Sequence, residues 1–249
     1  MHIISEIFWL QKRGSAESEY EDAFWPARSF DETCERFTLA IADGATESSF
    51  SSIWAKQLAR SYVRDGWDRD DSFRSSLAKR QRLWTKIVSR KPLPWYAEQK
   101  LEQGAFAAVL GLTIVDQSGS SGIWAVFASG DCCLVQIRND EIFRSCPLSS
   151  SDGFNNSPVL LATSPSRNIA AIAEIVRQEG IWQSGDVFYL MTDALAAWFF
   201  RQAEQGAKPW EILLNIGLEE STFHEFVRAE QESARMRNDD VTLYRVDIL

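Results

Sequence analysis

The stretch Thr38-Leu39-Ala40-Ile41-Ala42-Asp43-Gly44 decides how this chain is interpreted. Its apolar run predicts a buried β-strand, which is followed at once by an aspartate and a glycine. The same order returns twice, because residues 123–128 are followed by Asp131 and residues 187–191 by Asp193. This recurrence predicts acidic side chains at the ends of several strands.

Two acidic pairs border further apolar segments, since Glu21-Asp22 precedes Ala23-Phe24 and Asp239-Asp240 precedes residues 241–246. Carboxylates that converge at strand ends repel one another unless positive charge lies among them, and a divalent cation supplies that charge. Oxygen ligands favour Mg²⁺ or Mn²⁺ over zinc, and Gly44 would let its backbone carbonyl approach a metal closely. The alternative is local, because aspartate beside a strand is also a common turn former or helix N-cap.

The composition excludes several classes of protein. The chain has 249 residues, 26 Lys and Arg against 35 Asp and Glu, and a formal net charge of −9. This balance argues against a nucleic-acid partner, because a phosphate-binding surface needs clustered cations. Of the two histidines, His2 is expected to lie at a flexible terminus, so only His224 remains inside the chain. This argues against a Ser-His-Asp triad and against a His-rich zinc site, and we expect His224 to be structural. Asp and Glu must therefore carry any acid, base or metal chemistry.

Apolar segments and cysteines indicate the compartment. Residues 105–115 and 194–200 are the longest apolar stretches, and both are shorter than the ~20 residues that a spanning helix needs, so no membrane partner is expected. Residues 1–10 lack a small-residue cleavage site and predict a first strand, not a signal peptide. The cysteines form no CxxC pair and favour reduced thiols in a cytoplasmic protein.

The order of the predicted elements favours an α+β fold. Strand-like runs fall in hairpin-like sets, whereas helical periodicity is confined to a middle block, broken near Gly66, and a late block at residues 193–206 and 209–236. This order predicts antiparallel sheets covered by helices. The predicted strands cover residues 1–10, 38–42, 106–115, 123–128, 134–138, 187–191 and 241–246, and the middle helices cover residues 48–90.

Six segments taken in order resemble the motif series of the metal-dependent protein phosphatase 2C family. They are residues 18–24, 41–44, 104–108, 128–131, 190–193 and 238–242, and they span nearly the whole chain. The resemblance implies a single catalytic domain over residues 1–249. It also implies a four-layer α-β-β-α sandwich, two antiparallel sheets flanked by helices, with a two-metal centre in a cleft at one end of the sheets.

The resemblance also implies roles for individual residues. Asp43 matches the carboxylate that bridges both metals, and Gly44 matches the carbonyl ligand. Asp193 and Asp239 match the remaining carboxylates of the first metal. The further matches are Glu21 and Asp22 at the second metal and Asp131 at a third, weaker metal.

The implied activity is hydrolysis of phosphomonoesters, most of all phosphoserine and phosphothreonine on proteins. A water between two Mg²⁺ or Mn²⁺ ions would attack phosphorus, with Asp43, Asp193 and Asp239 as the catalytic residues. The expected partners are a phosphorylated protein substrate and a cognate Ser/Thr kinase.

Three positions depart from the family pattern. Glu17 stands where many members place an arginine that grips phosphate, Ala45 where animal members have histidine, and Ala194 where glycine is usual. A carboxylate at position 17 predicts weak phosphate binding, unless Arg13, Arg28 or another cation reaches the same space.

Two other functions have support in parts of the sequence. The first is a catalytically silent module that binds a partner protein, which the departures at the phosphate side favour. The second is a cysteine-dependent phosphatase, because Cys132 and Arg138 have the C-x5-R spacing. That chemistry needs a glycine-rich loop leading into a helix N-terminus, whereas residues 133–137 predict a strand, and we reject it.

Overall fold

The computed structural model describes residues 1–46, 48, 50–90, 103–154, 158–216 and 220–249. Twelve strands and six α-helices occur within these residues. The strands are β1 (His2–Leu10), β2 (Ala23–Trp25), β3 (Phe30–Thr33), β4 (Arg36–Gly44), β5 (Phe106–Asp116), β6 (Ser121–Ser129), β7 (Cys133–Arg138), β8 (Glu141–Cys146), β9 (Leu161–Ala162), β10 (Val176–Gln183), β11 (Val187–Met191) and β12 (Val241–Ile248). The helices are α1 (Ser51–Asp65), α2 (Asp70–Val88), α3 (Ile169–Ala173), α4 (Asp193–Glu204), α5 (Pro209–Asn215) and α6 (Glu220–Glu232).

The strands form two sheets of six. The first sheet has the order β3-β1-β12-β11-β7-β8, and the second has the order β10-β6-β5-β4-β2, with β9 paired to β5. Every pairing is antiparallel, which confirms the predicted sheet type.

The deciding strand, β4, shows why the molecule is layered. Side chains alternate between the faces of a strand. Leu39 and Ile41 therefore enter the core between the two sheets, whereas Ala40 and Ala42 face the helix layer formed by α1 and α2. Both faces of β4 are buried, and this explains its continuous apolar run.

Each outer face of the sandwich is covered by helices. Buried Trp54 of α1 packs on the second sheet, while Trp198 of α4 and Phe223 of α6 pack on the first. The four layers are thus helix, sheet, sheet and helix, as predicted.

Most differences from the predicted elements lie in short or exposed segments. The helical region predicted at residues 209–236 contains two helices, α5 and α6. The strand β10 was missed because it pairs with β6 at the edge of its sheet and exposes alternate polar side chains. The short strands β2, β3 and β9 carry too few residues for a periodicity to show.

Two further findings concern the described helices and the cysteines. Among the helices that the structure describes, none combines the length and the hydropathy that a bilayer crossing needs. All four cysteines lie within the described residues, and none forms a disulfide.

Candidate metal centre

The register of the second sheet brings two predicted ligands to one end of the sandwich. Asp43, near the end of β4, pairs with Ala108 near the start of β5. Ser129, the last residue of β6, pairs with Val109 of the same strand. Asp43, in β4, and Asp131, just after β6, therefore lie on either side of the start of β5.

The first sheet contributes acidic residues to the same region. Met191, the last residue of β11, pairs with Leu243 of β12. Asp193, two residues after β11, and Asp239, two residues before β12, consequently lie at the same end of this sheet. We call Asp22, Asp43, Asp131, Asp193 and Asp239 the acidic cluster.

Burial and mutual repulsion both act on the carboxyl pKa values of the acidic cluster. Burial raises the pKa of Asp22 well above its usual range, and the charges of Asp240 and Asp193 raise it further. Burial also raises the pKa of Asp43 well above its usual range, with added repulsion from Asp22, Asp193 and Asp131. Burial and the charge of Asp193 raise the pKa of Asp131 to about 7. The acidic cluster thus holds more negative charge than it can keep ionised without a cation.

Two carboxylate oxygens of the cluster are buried without a hydrogen-bond donor among the described residues, Asp22 Oδ1 and Asp193 Oδ1. Their sister oxygens are satisfied, because Thr242 Oγ1 donates to Asp22 Oδ2 at 2.7 Å and Arg237 donates to Asp193 Oδ2. A buried acceptor without a partner costs roughly 1–3 kcal/mol. Both orphaned oxygens are therefore suited to an external ligand of positive charge.

Two cations of the chain, Lys12 and Arg237, pair with acidic residues at the cluster. Lys12 Nζ donates to Glu21 Oε2 at 3.1 Å, so it neutralises the Glu21 carboxylate. Arg237 lies between the other two carboxylates, donating to Asp193 and, at 2.7 Å, to Asp239 Oδ2. The chain therefore neutralises the edges of the acidic region and leaves its centre to another cation.

The adjacent residues Asp239 and Asp240 have different roles. Asp240 is buried and accepts the backbone N–H groups of Lys12 at 2.8 Å and Glu21 at 2.7 Å. Asp239 is partly exposed and faces Arg237. Asp240 thus fixes the N-terminal segment against β12, and Asp239 remains the predicted ligand of the pair.

Gly44 is required by packing at the base of the cluster. A Cβ atom at this position would lie 2.7 Å from the backbone oxygen of Glu21 and 3.0 Å from Ser51 Cβ. Ser51 Oγ, at the start of α1, also donates to Glu21 Oε1 at 2.5 Å. β4, α1 and the acidic pair consequently meet at Gly44, a contact that the sequence did not reveal.

The donor set fits a hard divalent cation, although it is not a closed cage. In the described part of the chain, no group of three or more His, Cys, Asp or Glu side chains is placed so that it could hold a metal ion. Mg²⁺ commonly keeps several waters and binds through one or two carboxylates, so a complete protein cage is not needed. The all-oxygen donors and the two orphaned buried oxygens fit Mg²⁺ or Mn²⁺, while the assignment of each ligand stays a prediction.

The three positions that depart from the family pattern lie near the cluster. Glu17 is exposed and lines a groove that also borders Asp22. The Ala45 N–H donates to the Phe106 carbonyl oxygen at 3.0 Å, and Ala194 is buried in the first turn of α4.

The cysteine-dependent alternative lacks its loop. Residues Cys133–Arg138 form β7, as predicted, and Arg138 is held by Asp186 at 2.7 and 2.6 Å. Cys132 is buried, and burial together with the charge of Asp43 raises the pKa of its thiol well above the usual range. A thiol in this environment is not an activated nucleophile.

Comparisons with known proteins agree with this geometry. No family model and no curated protein matches the sequence. The solved structure of the Mycobacterium tuberculosis serine/threonine phosphatase PstP/Ppp matches with a TM-score of 0.64 and 13% identity, over 100% of this chain and 99% of that one. The chain has the protein phosphatase 2C fold.

Two further structures share the phosphatase 2C fold. The photosystem II phosphatase PBCP has a TM-score of 0.60 and 14% identity, over 99% of both chains. The catalytic domain of PstP in complex with two manganese ions has a TM-score of 0.59 and 12% identity, again over 99% of both chains. At these identities the likeness establishes the fold.

Sequence reasoning missed the residues that support the acidic cluster. Lys12, Arg237, Ser51 and Thr242 all contact its carboxylates or the adjacent Glu21. The first three lie outside the six motif segments, and Thr242 lies in the last one but was given no role. One signal was available, because Arg237 and Asn238 directly precede Asp239 in the last motif.

Proposed function

We propose that this chain is a metal-dependent phosphatase that hydrolyses phosphoserine and phosphothreonine on proteins. The observation that supports this function best is the acidic cluster at one end of the two sheets, with two buried carboxylate oxygens that lack a donor. The phosphatase 2C fold, which one of the similar structures carries with two manganese ions, supports the same chemistry.

The proposed ligands divide between two Mg²⁺ or Mn²⁺ ions. Asp43 would bridge both ions, and Gly44 would contribute its carbonyl oxygen. Asp193 and Asp239 would complete the protein ligands of the first ion. The remaining assignments are Glu21 and Asp22 at the second ion and Asp131 at a possible third.

Bound ions would supply a nucleophile from water at neutral pH and would neutralise the phosphoryl oxygens. The chain's own residues orient the ligands. Thr242 fixes Asp22 through a 2.7 Å hydrogen bond, and Asp240 fixes the backbone of Glu21 at 2.7 Å. The Asp22 carboxylate is thereby presented in one orientation before any ion arrives, which reduces the ordering that binding requires.

The proposed substrates place the chain opposite a Ser/Thr kinase. A phosphate ester on a serine or threonine hydroxyl requires an enzyme that transfers phosphate to that hydroxyl. The kinase and its target are therefore the partners we propose, and the chain would return the target to its unphosphorylated form.

The test is hydrolysis of p-nitrophenyl phosphate and of a phosphothreonine peptide by purified protein with added Mn²⁺, with EDTA, and after iodoacetamide treatment. We expect activity that needs Mn²⁺ or Mg²⁺, is abolished by EDTA and survives alkylation. Cys132→Ser should keep this activity, and Asp43→Asn, purified in parallel, should lack it and so exclude a contaminating phosphatase.

Two results would overturn the proposal. Activity that persists in EDTA but is lost with iodoacetamide would assign the chemistry to a thiol. Metal binding measured by calorimetry without turnover of either substrate would instead identify a silent partner-binding module.

A further inference from the structure

A groove beside the acidic cluster is not explained by metal binding. It has a volume of about 540 Å³ and runs between β1, β2 and the exposed side of α1. Asp22 borders it, together with Trp9 of β1 and Trp25 of β2. We call this feature the lateral groove. Because it shares Asp22 with the acidic cluster, a molecule whose phosphate reaches the cluster can extend into the groove.

Cations line one wall of the lateral groove. Lys56 and Arg60 lie four residues apart on α1, both are exposed, and Arg28 faces the same space. The Arg60 guanidinium lies 4.6 Å from the centre of the Trp25 ring, which holds it over the groove. Neither Lys56 nor Arg60 has a carboxylate within ion-pair distance in the described ranges.

The spacing of Lys56 and Arg60 leaves a repulsion within α1. Acidic residues outnumber basic ones by 35 to 26, yet the two cations on this helix face remain without carboxylate partners among the described residues. Like charges four residues apart on a helix disfavour it by about 0.2–0.5 kcal/mol. An anionic partner would remove that repulsion, whereas no carboxylate in the part of the chain that the structure describes does so.

We infer that the lateral groove binds acidic side chains that flank the phosphorylated residue of the protein substrate. This inference rests on the proposed function and specifies its substrate class. Lys56 and Arg60 would pair with the acidic side chains, and the faces of Trp9 and Trp25 would contact the peptide between them. Lys56 and Arg60 would thus attract an acidic substrate to the groove, whereas the carboxylate of Glu17, which lines the same groove, would repel it.

The test is binding of a fluorescein-labelled, unphosphorylated acidic peptide in EDTA, measured by fluorescence anisotropy. The comparison peptide replaces each Asp and Glu by Asn and Gln. We expect wild type to bind the acidic peptide roughly 2- to 30-fold more tightly, by the usual strength of two exposed ion pairs. The preference should shrink as NaCl rises from 50 to 300 mM.

Charge reversal on α1 should abolish the preference. Lys56→Glu/Arg60→Glu should bind both peptides with similar affinity, and Lys56→Gln/Arg60→Gln should lose most of the difference. The matched control is Arg82→Glu/Lys86→Glu, which changes the same charges at the same spacing on exposed positions of α2. This control should keep the wild-type preference.

Each outcome separates the groove from the proposed function. If wild type hydrolyses phosphopeptides but binds the two peptides equally, the groove inference is wrong and the phosphatase assignment stands. An equal loss of preference in the α1 and α2 double variants would also overturn the inference, because net charge alone would explain it. Acidic-peptide binding without hydrolysis would support the groove and refute the phosphatase.

Discussion

If the proposed metal ion binds at Asp193 and Asp239, Arg237 would compete with it for the same carboxylates, and removal of Arg237 should tighten metal binding. Its guanidinium donates to Asp193 and, at 2.7 Å, to Asp239. The side chain is 52% exposed, so solvent screens both pairs, and each contributes about 0.2–1 kcal/mol. Arg237→Gln removes both pairs, which an incoming ion would otherwise have to displace.

The expected change follows from these two pairs. Their loss should raise the affinity for Mn²⁺ by roughly 2- to 30-fold, because about 1.4 kcal/mol corresponds to a factor of ten. The same loss should destabilise the metal-free protein and lower its Tm by a few degrees, at about 2–4 °C per kcal/mol for a chain of this size. At saturating Mn²⁺ the Tm values of variant and wild type should converge.

Isothermal titration of Mn²⁺ into metal-free protein measures the affinity, and thermal melts with and without Mn²⁺ measure the stability. Arg235→Gln is the control, because Arg235 is similarly exposed but pairs with Glu230 at 2.7 Å, outside the acidic cluster. An affinity for Mn²⁺ that is unchanged or weaker in Arg237→Gln would refute the competition.

Three further predictions concern the ligands, the phosphate side and the helix layer. Asp43→Asn should lower kcat by at least ~10³. It should also raise the Tm of the metal-free protein, since it relieves repulsion among buried carboxyls. Near-normal turnover at saturating Mn²⁺ would exclude Asp43 as a ligand. Glu17→Arg should lower KM for p-nitrophenyl phosphate by about fivefold, and an unchanged KM in steady-state kinetics would place position 17 outside the phosphate pocket. Asp65 is partly buried, which disfavours its ionised form, but hydrogen bonds from Ser76, Arg80 and Ser61 hold its pKa below the usual range. A carboxyl with a lowered pKa stabilises the fold above the unfolded-state pKa and loses this effect as pH falls through its folded-state pKa. Asp65→Asn should therefore lower the unfolding free energy at pH 7 but not at pH 2. Equal losses of unfolding free energy at both pH values, measured by denaturant titration, would contradict this.

The layered fold was predictable because its signals are local. Residues 38–44 carry their own periodicity and their own terminating aspartate, and Asp43, Asp131 and Asp193 share that pattern. A strand whose two faces are both buried has a continuous apolar sequence, so the sequence predicted β4 and β5 directly. The edge strand β10 was missed because solvent accepts polar side chains on one of its faces.

The supporting residues of the site could not be predicted in the same way. The backbone N–H of Lys12 donates to Asp240 across a separation of 228 residues, and the Arg237 guanidinium donates to Asp193 across 44. Nothing in the local sequence of either cation records these contacts, since they depend on which strands become neighbours. The carboxylates were visible because each borders a strand, whereas the cations lie in loops.

The position of β12 has a consequence for synthesis of the protein. β12 lies between β1 and β11, so residues 241–248 fill the middle of the first sheet. Until they leave the ribosome, β1 has only β3 beside it, and Asp240 is not there to hold the segment that carries Glu21. A partly translated chain therefore has no assembled acidic cluster and should be unable to act on any substrate before this segment emerges. Contacts between such distant parts of a sequence also form slowly, and the unpaired edge of β1 is the place where a nascent chain would most need a chaperone.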